Sequence, residues 1–327
     1  MLEIKNLNIS LQTEKGFNIP LIRNLSYTVK AGQTLAVVGE SGCGKTIQAL
    51  AIMGLLPQNI TVKKGEILFE NKNILRLNAK ERRKLNGKDI ALVFQDAMTA
   101  LNPVMTIREH LLEIYAARTD LYLDEAEEEI NKLLEQVELP QRVLSSYAHQ
   151  LSGGQRQRIM LALALALKPK LLIADEPTTA LDEDTQKQIL ELIKKLQKTY
   201  KMAVIFITHD LILAKEIADK IFVLYAGTKV EEAAAKNLFE MPLHPYTYGL
   251  IKSIITKDTP PGIPLFEIYG MPGGDRFHGC PFRNRCKRAS KVCYKFVPPL
   301  EELRPKHFCA CFWAKSVDSQ RRHYENP

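Results

Sequence analysis

Two kinds of apolar pattern run along the chain. LAVVG (35–39), LLIAD (171–175), AVIFIT (203–208) and IFVLY (221–225) are short, unbroken apolar runs. Runs without alternation predict strands covered on both faces of a sheet. The first three lead into helical spacing: a helix starting near Lys45, then TTALDEDTQKQILELIKKLQ, then HDLILAKEIADK. The fourth stops at Ala226-Gly227. Strand–helix alternation predicts an α/β fold with a mainly parallel core. Residues 1–34 read differently, because LEIKNLNISL and LSYTVK alternate and predict a smaller antiparallel sheet. Between about 100 and 166 the strand signals vanish; TIREHLLEIYAAR and LDEAEEEINKLLEQVEL predict a helical insert. After 241 the text turns rich in proline and glycine, and MPLHPYTYGL with TPPGIPLFEIYGMPGGD reads as a linker into a cysteine-bearing tail.

Composition narrows the class. With 46% apolar and 25% charged residues in 327, the chain reads as globular. MLEIKNLNIS lacks a secretory pattern, and the longest apolar run, IMLALALAL (159–167), is nine residues, too short to cross a bilayer. The expected compartment is a reducing cytosol, where cysteines bind metal more often than they form disulfides. The net charge of +8 lies in residues 276–327, which hold 12 Lys/Arg against 4 Asp/Glu. Such a tail is a solvated basic face, or it meets nucleic acid or an anionic membrane surface.

The chemistry sits at the strand ends. Gly39-Glu40-Ser41-Gly42-Cys43-Gly44-Lys45-Thr46 fits G-x-x-x-x-G-K-[ST], between an apolar strand and a helix. Its glycines let backbone N–H groups curl inward around phosphate oxygens, and the following helix adds the positive end of its dipole. Lys45 then reaches the β- and γ-phosphates and the Thr46 hydroxyl can hold Mg²⁺. Cys43 reads as a small filler of the loop. LLIADEP places Asp175 as a second Mg²⁺ ligand and Glu176 as the group that polarises the attacking water. In Gln150-Leu151-Ser152-Gly153-Gly154-Gln155, Ser152 caps a helix and the two glycines leave its N-terminus bare for a γ-phosphate. The first cradle already holds the chain's own phosphates, so this second loop predicts a second subunit.

Over residues 1 to about 230 the chain resembles the ATP-binding subunit of ATP-binding-cassette transporters. The phosphate loop, Gln95 of VFQD, LSGGQ (151–155), Asp175-Glu176, Ala180-Leu181-Asp182 and His209 of ITHD carry the resemblance. It implies a P-loop NTPase cassette: an antiparallel β subdomain, a RecA-like parallel-sheet core and a helical signature subdomain. Two cassettes would meet head to tail, each ATP lying between one cradle and the other's Ser152, Gly153, Gly154 and Gln155. Gln95 would sense Mg²⁺ and couple to the membrane partner, His209 would contact the γ-phosphate, and Ala180–Asp182 would face the opposite subunit. Phe17 is a candidate to stack on adenine, with an ordinary surface aromatic as the equal reading. FQDAMTALNP is similar to FQDPMTSLNP of oligopeptide, dipeptide and nickel importers, with Ala97 and Ala100 replacing proline and serine. LYAG and PLHPYTYGL resemble the same group, and AIMGLLP looks like its D-type subunit. The resemblance implies an ATPase at the cytoplasmic face of the inner membrane, powering peptide uptake. Its partners would be an F-type ATPase subunit, two permeases and an external substrate-binding protein, with no nucleic acid. The alternatives are a nickel importer ATPase and a soluble cassette ATPase acting on nucleic acid.

Five of the six cysteines lie beyond residue 279. Cys280, Cys286, Cys293 and Cys311 are separated by gaps of five, six and seventeen residues, unlike the two-to-four-residue pairs of zinc fingers. Four thiolates at mixed spacing suit an iron–sulfur cluster better, and the peptide importers, whose extension has the form GCPF-x-x-RC, point to [4Fe–4S]. Structural zinc and unligated thiols remain the alternatives. Cys309 falls where that extension is usually apolar. The expected layout is a cassette over 1–240, with its helical part at about 100–166, and a small irregular, metal-bound extension over 241–327. The tail has few apolar residues, so a metal would act as its staple.

Overall fold

The computed structural model describes residues 1–94, 100–179, 181–255, 259, 262, 266–270 and 278–315. Among the described residues, twelve strands form two sheets. β1 (Leu2–Gln12), β2 (Asn18–Val29), β4 (Ile60–Phe69) and β5 (Lys72–Asn73) make an antiparallel sheet in the order β2-β1-β4-β5. Alternation puts Leu2 and Ile4 into the interior from β1, and a register shift between Ile4 and Leu7 changes the parity so that Leu7 and Ile9 also point inward.

The larger sheet contains β3 (Thr34–Val38), β6 (Ile90–Val93), β7 (Leu171–Asp175), β8 (Ala203–Thr208), β9 (Lys220–Tyr225), β10 (Thr228–Ala234), β11 (Glu301–Arg304) and β12 (His307–Cys309). Its order is β11-β12-β10-β9-β3-β8-β7-β6. The stretch from β9 to β6 is parallel, and every residue of β3, β7 and β8 is buried. Helices Lys45–Met53, Glu183–Tyr200 and Leu211–Ile217 follow β3, β7 and β8. Between β6 and β7, helices Ile107–Arg118, Leu123–Gln136 and Gly153–Leu165 pack around Leu111, Ile130, Leu134, Ile159 and Leu161. Their apolar cluster continues into Val93, Leu172 and Ala174 of the sheet, so the helical insert shares the core's interior.

One expectation for the tail needs correction. The stretch after 241 begins as a helix, Pro245–Lys252, rather than as linker. Pro245 fixes φ at the first helical position and His244 caps the start by accepting from the Tyr246 N–H, while Leu243, Tyr246 and Thr247 are buried. As its few apolar residues suggested, the tail builds no separate core but shares one with the sheet. Cys280, Phe282 and Cys293 pack in one cluster with Val38, Tyr225 and Tyr246. β12 pairs antiparallel with β10, so the cysteine-bearing tail adds strands to the larger sheet itself.

Candidate functional site

The phosphate loop leaves the C-terminal end of β3. Gly39, Gly42 and Gly44 have φ of 157°, 74° and 106°. Two of these glycines are also required by space: a Cβ at Gly39 would stand 2.2 Å from the Leu224 carbonyl oxygen, and one at Gly44 2.6 Å from Ile22 Cδ1. Lys45 is buried and donates to the carbonyls of Gly39 (2.7 Å) and Glu40 (3.2 Å), so its ammonium lies inside the curl of the loop. Cys43 is buried against Gly39, and burial pushes its thiol up to about 11, as expected of a filler.

β7 ends two strands away from β3, with β8 between them. Asp175 is buried and its Oδ1 has no hydrogen-bond partner. Burial raises its carboxyl above the ordinary range, against the pull of the Thr46 hydroxyl that bonds to it and of Lys45. A buried carboxylate oxygen without a partner, beside a hydroxyl, is the donor set a hard cation takes. Glu176 follows at φ 49°, a left-handed conformation rare for a side-chain-bearing residue. Its Oε1 stands 3.9 Å from Lys45 Nζ; its Oε2 accepts from Thr179 Oγ1 at 3.1 Å and lies 3.1 Å from His209 Nδ1. His209 comes off the end of β8 and remains 60% exposed, open to a ligand. Lys45, Asp175, Glu176 and His209 thus meet at the C-terminal ends of three adjacent parallel strands, where open α/β sheets bind ligands.

Ser152 caps helix Gly153–Leu165 in a capping box: its Oγ accepts from the Gln155 N–H at 3.2 Å, and Gln155 Oε1 accepts from the Ser152 N–H at 3.0 Å. Gly153 and Gly154 have a packing reason as well. Cβ atoms there would lie 3.2 Å from Leu181 Cδ2 and 2.7 Å from Thr185 Cγ2. Asp182 in turn caps helix Glu183–Tyr200 through the Thr185 N–H and hydroxyl. Gln95, Ala97 and Ala180 lie outside the described residues. Phe17 is 69% exposed on the loop between β1 and β2.

Cys280, Cys286, Cys293 and Cys311 line one small cavity together with His244, Phe282 and Trp313. Cys309 faces elsewhere; it is buried on β12 in a cluster with Leu243 and Ala314. Burial, reinforced by the neighbouring thiols, pushes Cys280 up to about 12 and Cys311 up to about 11, and it raises Cys286 too. The Cys280, Cys286 and Cys311 thiols thus resist ionising, a preference that a bound metal would reverse by favouring thiolates. Among the described residues no three Cys, His, Asp or Glu side chains stand close enough to hold a single metal ion.

Sequence reasoning assigned no role to two residues that touch the cradle. Tyr246 Oη accepts from the Glu40 N–H at 3.0 Å, and Arg285 forms an ion pair with the Glu40 carboxylate at 2.7 Å. Arg285 is the arginine of GCPF-x-x-RC, but it sits in a run of basic residues that looks solvated, and that motif does not say what the side chain meets.

A phosphate cradle beside paired strand-end carboxylates, with a separate capped Gly-Gly helix start, defines an ATP-binding cassette. Comparison with known proteins agrees. The ABC transporter family matches residues 22–179, and the oligopeptide/dipeptide transporter C-terminal region matches residues 230–293. The oligopeptide transport ATP-binding protein OppD of Escherichia coli (strain K12) is 40% identical over 95% of this chain and 93% of that protein. The dipeptide transport ATP-binding protein DppD of Bacillus subtilis (strain 168) is 42% identical, over 95% and 94%. The dimeric bacterial ABC transporter cassette MJ0796 superposes with a TM-score of 0.64 at 30% identity, covering 72% of this chain and 99% of that one. A second structure of that cassette, in a post-hydrolysis state, is bound to ADP and Pi, with the same score and coverage. The chain belongs to the ABC transporter ATPases of the oligopeptide/dipeptide importer family: it is an ATPase subunit of such an importer. Among the described residues no helix is long and apolar enough to cross a membrane.

Proposed function

We propose that this chain hydrolyses ATP as one half of a head-to-tail pair with an unlike, F-type ATPase subunit, and so drives two permeases fed by an external peptide receptor. The pair would sit peripherally on the cytoplasmic face of the inner membrane. The observation that carries this reading is the meeting of Lys45, Asp175, Glu176 and His209 at adjacent strand ends. Lys45 and the loop N–H groups of Gly39–Thr46 bind the β- and γ-phosphates. Glu176, held by Thr179 and His209, takes the proton of the attacking water, and His209 orients that water against the γ-phosphate. Ser152–Gln155 of one subunit covers the nucleotide in the other, which is supported by the dimeric form of the MJ0796 cassette. Thr46 and Asp175, with Gln95, would hold Mg²⁺, which neutralises charge on the transferred phosphoryl oxygens.

The division into a cassette over 1–240, with its helical part at about 100–166, and an extension over 241–327 belongs to the same reading. Cys280, Cys286, Cys293 and Cys311 would hold a [4Fe–4S] cluster, with zinc as the alternative occupant; either would cross-link the extension. Cys311 takes the fourth place because it lines the cavity and Cys309 does not.

The test is reconstitution of the four-subunit complex in vesicles with the receptor. Glu176→Gln is expected to abolish peptide-stimulated hydrolysis and uptake while nucleotide still binds. Hydrolysis that survives this change at the wild-type rate overturns the assignment of Glu176. Iron, sulfide and zinc analysis of anaerobically purified chain decides the occupant: stoichiometric zinc without sulfide rejects the cluster.

A further inference from the structure

Glu40, the second residue of the phosphate loop, is held at every polar group it has. Its N–H donates to Tyr246 Oη at 3.0 Å. Its carbonyl accepts from the Cys43 N–H at 3.3 Å and from Lys45 Nζ at 3.2 Å. Its carboxylate receives both terminal nitrogens of Arg285, Nη1 to Oε2 at 2.7 Å and Nη2 to Oε1 at 3.0 Å. This is the bidentate fork that fixes direction as well as distance, and lysine cannot reproduce it.

Arg285 is itself immobilised from all sides. Its Nε donates to the Tyr269 carbonyl and Nη2 to that of Ile268, both at 3.1 Å, and its side chain is only 6% exposed. It immediately precedes Cys286, on the same short turn as Phe282. Phe282 lines the four-cysteine cavity and packs edge-on to Tyr225 at 5.2 Å and beside Tyr246 at 5.4 Å. The cavity wall therefore reaches Glu40 along two routes, through the guanidinium to its carboxylate and through Phe282 and Tyr246 to its N–H. At the same residue, the Glu40 carbonyl accepts from the Lys45 ammonium.

We propose that Arg285 is a positioning residue of the ATPase site: the cysteine-bearing extension sets the curl of the phosphate loop, and with it the place of Lys45, through the Arg285–Glu40 fork. The inference rests on Gly39–Thr46 being the nucleotide cradle. It makes the extension part of the nucleotide site, not an appendage. The coupling is reciprocal, so whatever rearranges the turn at 283–286 changes affinity for ATP, and bound ATP steadies that turn.

The experiment measures the Kd for Mg·ATP of the full chain by titration, alongside its melting temperature without nucleotide. Arg285→Lys and Glu40→Gln each raise Kd by about fivefold or more. The double variant is no worse than either single one, because both changes cut the same contact. Lys287→Ala, an exposed neighbour, keeps the wild-type Kd. A Kd within twofold of wild type in both folded single variants overturns the proposal, as does simple additivity in the double variant. A lower melting temperature with unchanged Kd also overturns it, since that marks a purely structural contact. If Arg285→Lys does not fold, Glu40→Gln, made on the cassette side, decides alone. Lys45→Ala separates the two layers: loss of binding there with none in the fork variants sinks only this inference, whereas binding that survives Lys45→Ala sinks the cradle reading itself.

Discussion

Glu231 gives the sharpest test of how the chain's end is attached. It is fully buried on β10, and three donors converge on it: the N–H groups of Leu243 (2.7 Å) and His244 (2.8 Å), and His307 Nε2 (2.7 Å). Glu231→Ala leaves all three without an acceptor in a space that water does not reach. A buried donor stripped of its partner costs about 1–3 kcal/mol, so three such donors together cost about 3 kcal/mol or more. We take about 4 kcal/mol, which raises the equilibrium for local opening of the tail roughly 10³-fold at about 1.4 kcal/mol per factor of ten. The assay is native-state hydrogen exchange at Phe308–Ala310, where β12 pairs with β10 and the Ala310 N–H donates to the Val230 carbonyl at 2.8 Å. Exchange there should accelerate by two to three decades, while the amides of β3 and β8 keep their protection. The control is Glu301→Ala, which removes an exposed ion pair to Lys315 and should cost under about 1 kcal/mol. Exchange at Phe308–Ala310 within threefold of wild type would refute the claim that this buried contact fastens the tail.

Asp175 supplies a prediction with a pH sign. Burial lifts its folded pKa above the unfolded 3.8, so the folded chain favours the protonated form and ionisation costs stability. That cost is absent below pH 3.8 and grows as pH rises through the folded pKa. Asp175→Asn should therefore raise the melting temperature by a few degrees at pH 7 in chelator, with the gain vanishing toward acid, while Mg²⁺-dependent hydrolysis falls. The cysteines give a second. Cys311→Ser should lower bound metal per chain by half or more, and Cys309→Ala should leave metal content intact while lowering stability through a lost apolar contact, as read by metal analysis and thermal melts.

The cradle, the carboxylate pair and the signature loop were legible because each is a local device. A glycine loop, a strand-end Asp-Glu and a Ser-capped helix start all need their residues adjacent in the chain, so spacing exposes them. β10 was not legible. TKVEEAA shows no apolar period, and Lys229, Glu231 and Glu232 look like surface residues, yet all three are buried. Their burial depends on partners elsewhere: Glu232 bonds Lys220 at 2.7 Å and also Lys229, and Glu231 finds His307 76 residues on. The helix Pro245–Lys252 was missed for a related reason, since its prolines and glycine suggested a linker while the tyrosine that fixes it, Tyr246, packs against Tyr225 and Phe282. The partner of Arg285 was hidden in the same way, because its acceptor lies 245 residues away.

These inward-facing charges share a consequence. Apolar contacts alone would hold the extension to the sheet without choosing among nearby alignments, since a slipped Phe282 still finds apolar surface. Charged groups do not tolerate a slip. Moving β12 by one residue along β10 would part Glu231 from His307, and moving the turn at 283–285 would part Arg285 from Glu40, each leaving a charge without its partner in the interior. Such contacts add little net stability compared with apolar replacements, but they penalise every wrong register heavily. The four cysteines are thereby held in one position relative to the phosphate loop. A replacement of Glu231 and His307 by well-packed apolar residues would accordingly keep the chain folded while loosening that register, and the loss would appear in the placement of Arg285 against Glu40 before it appeared in the melting temperature.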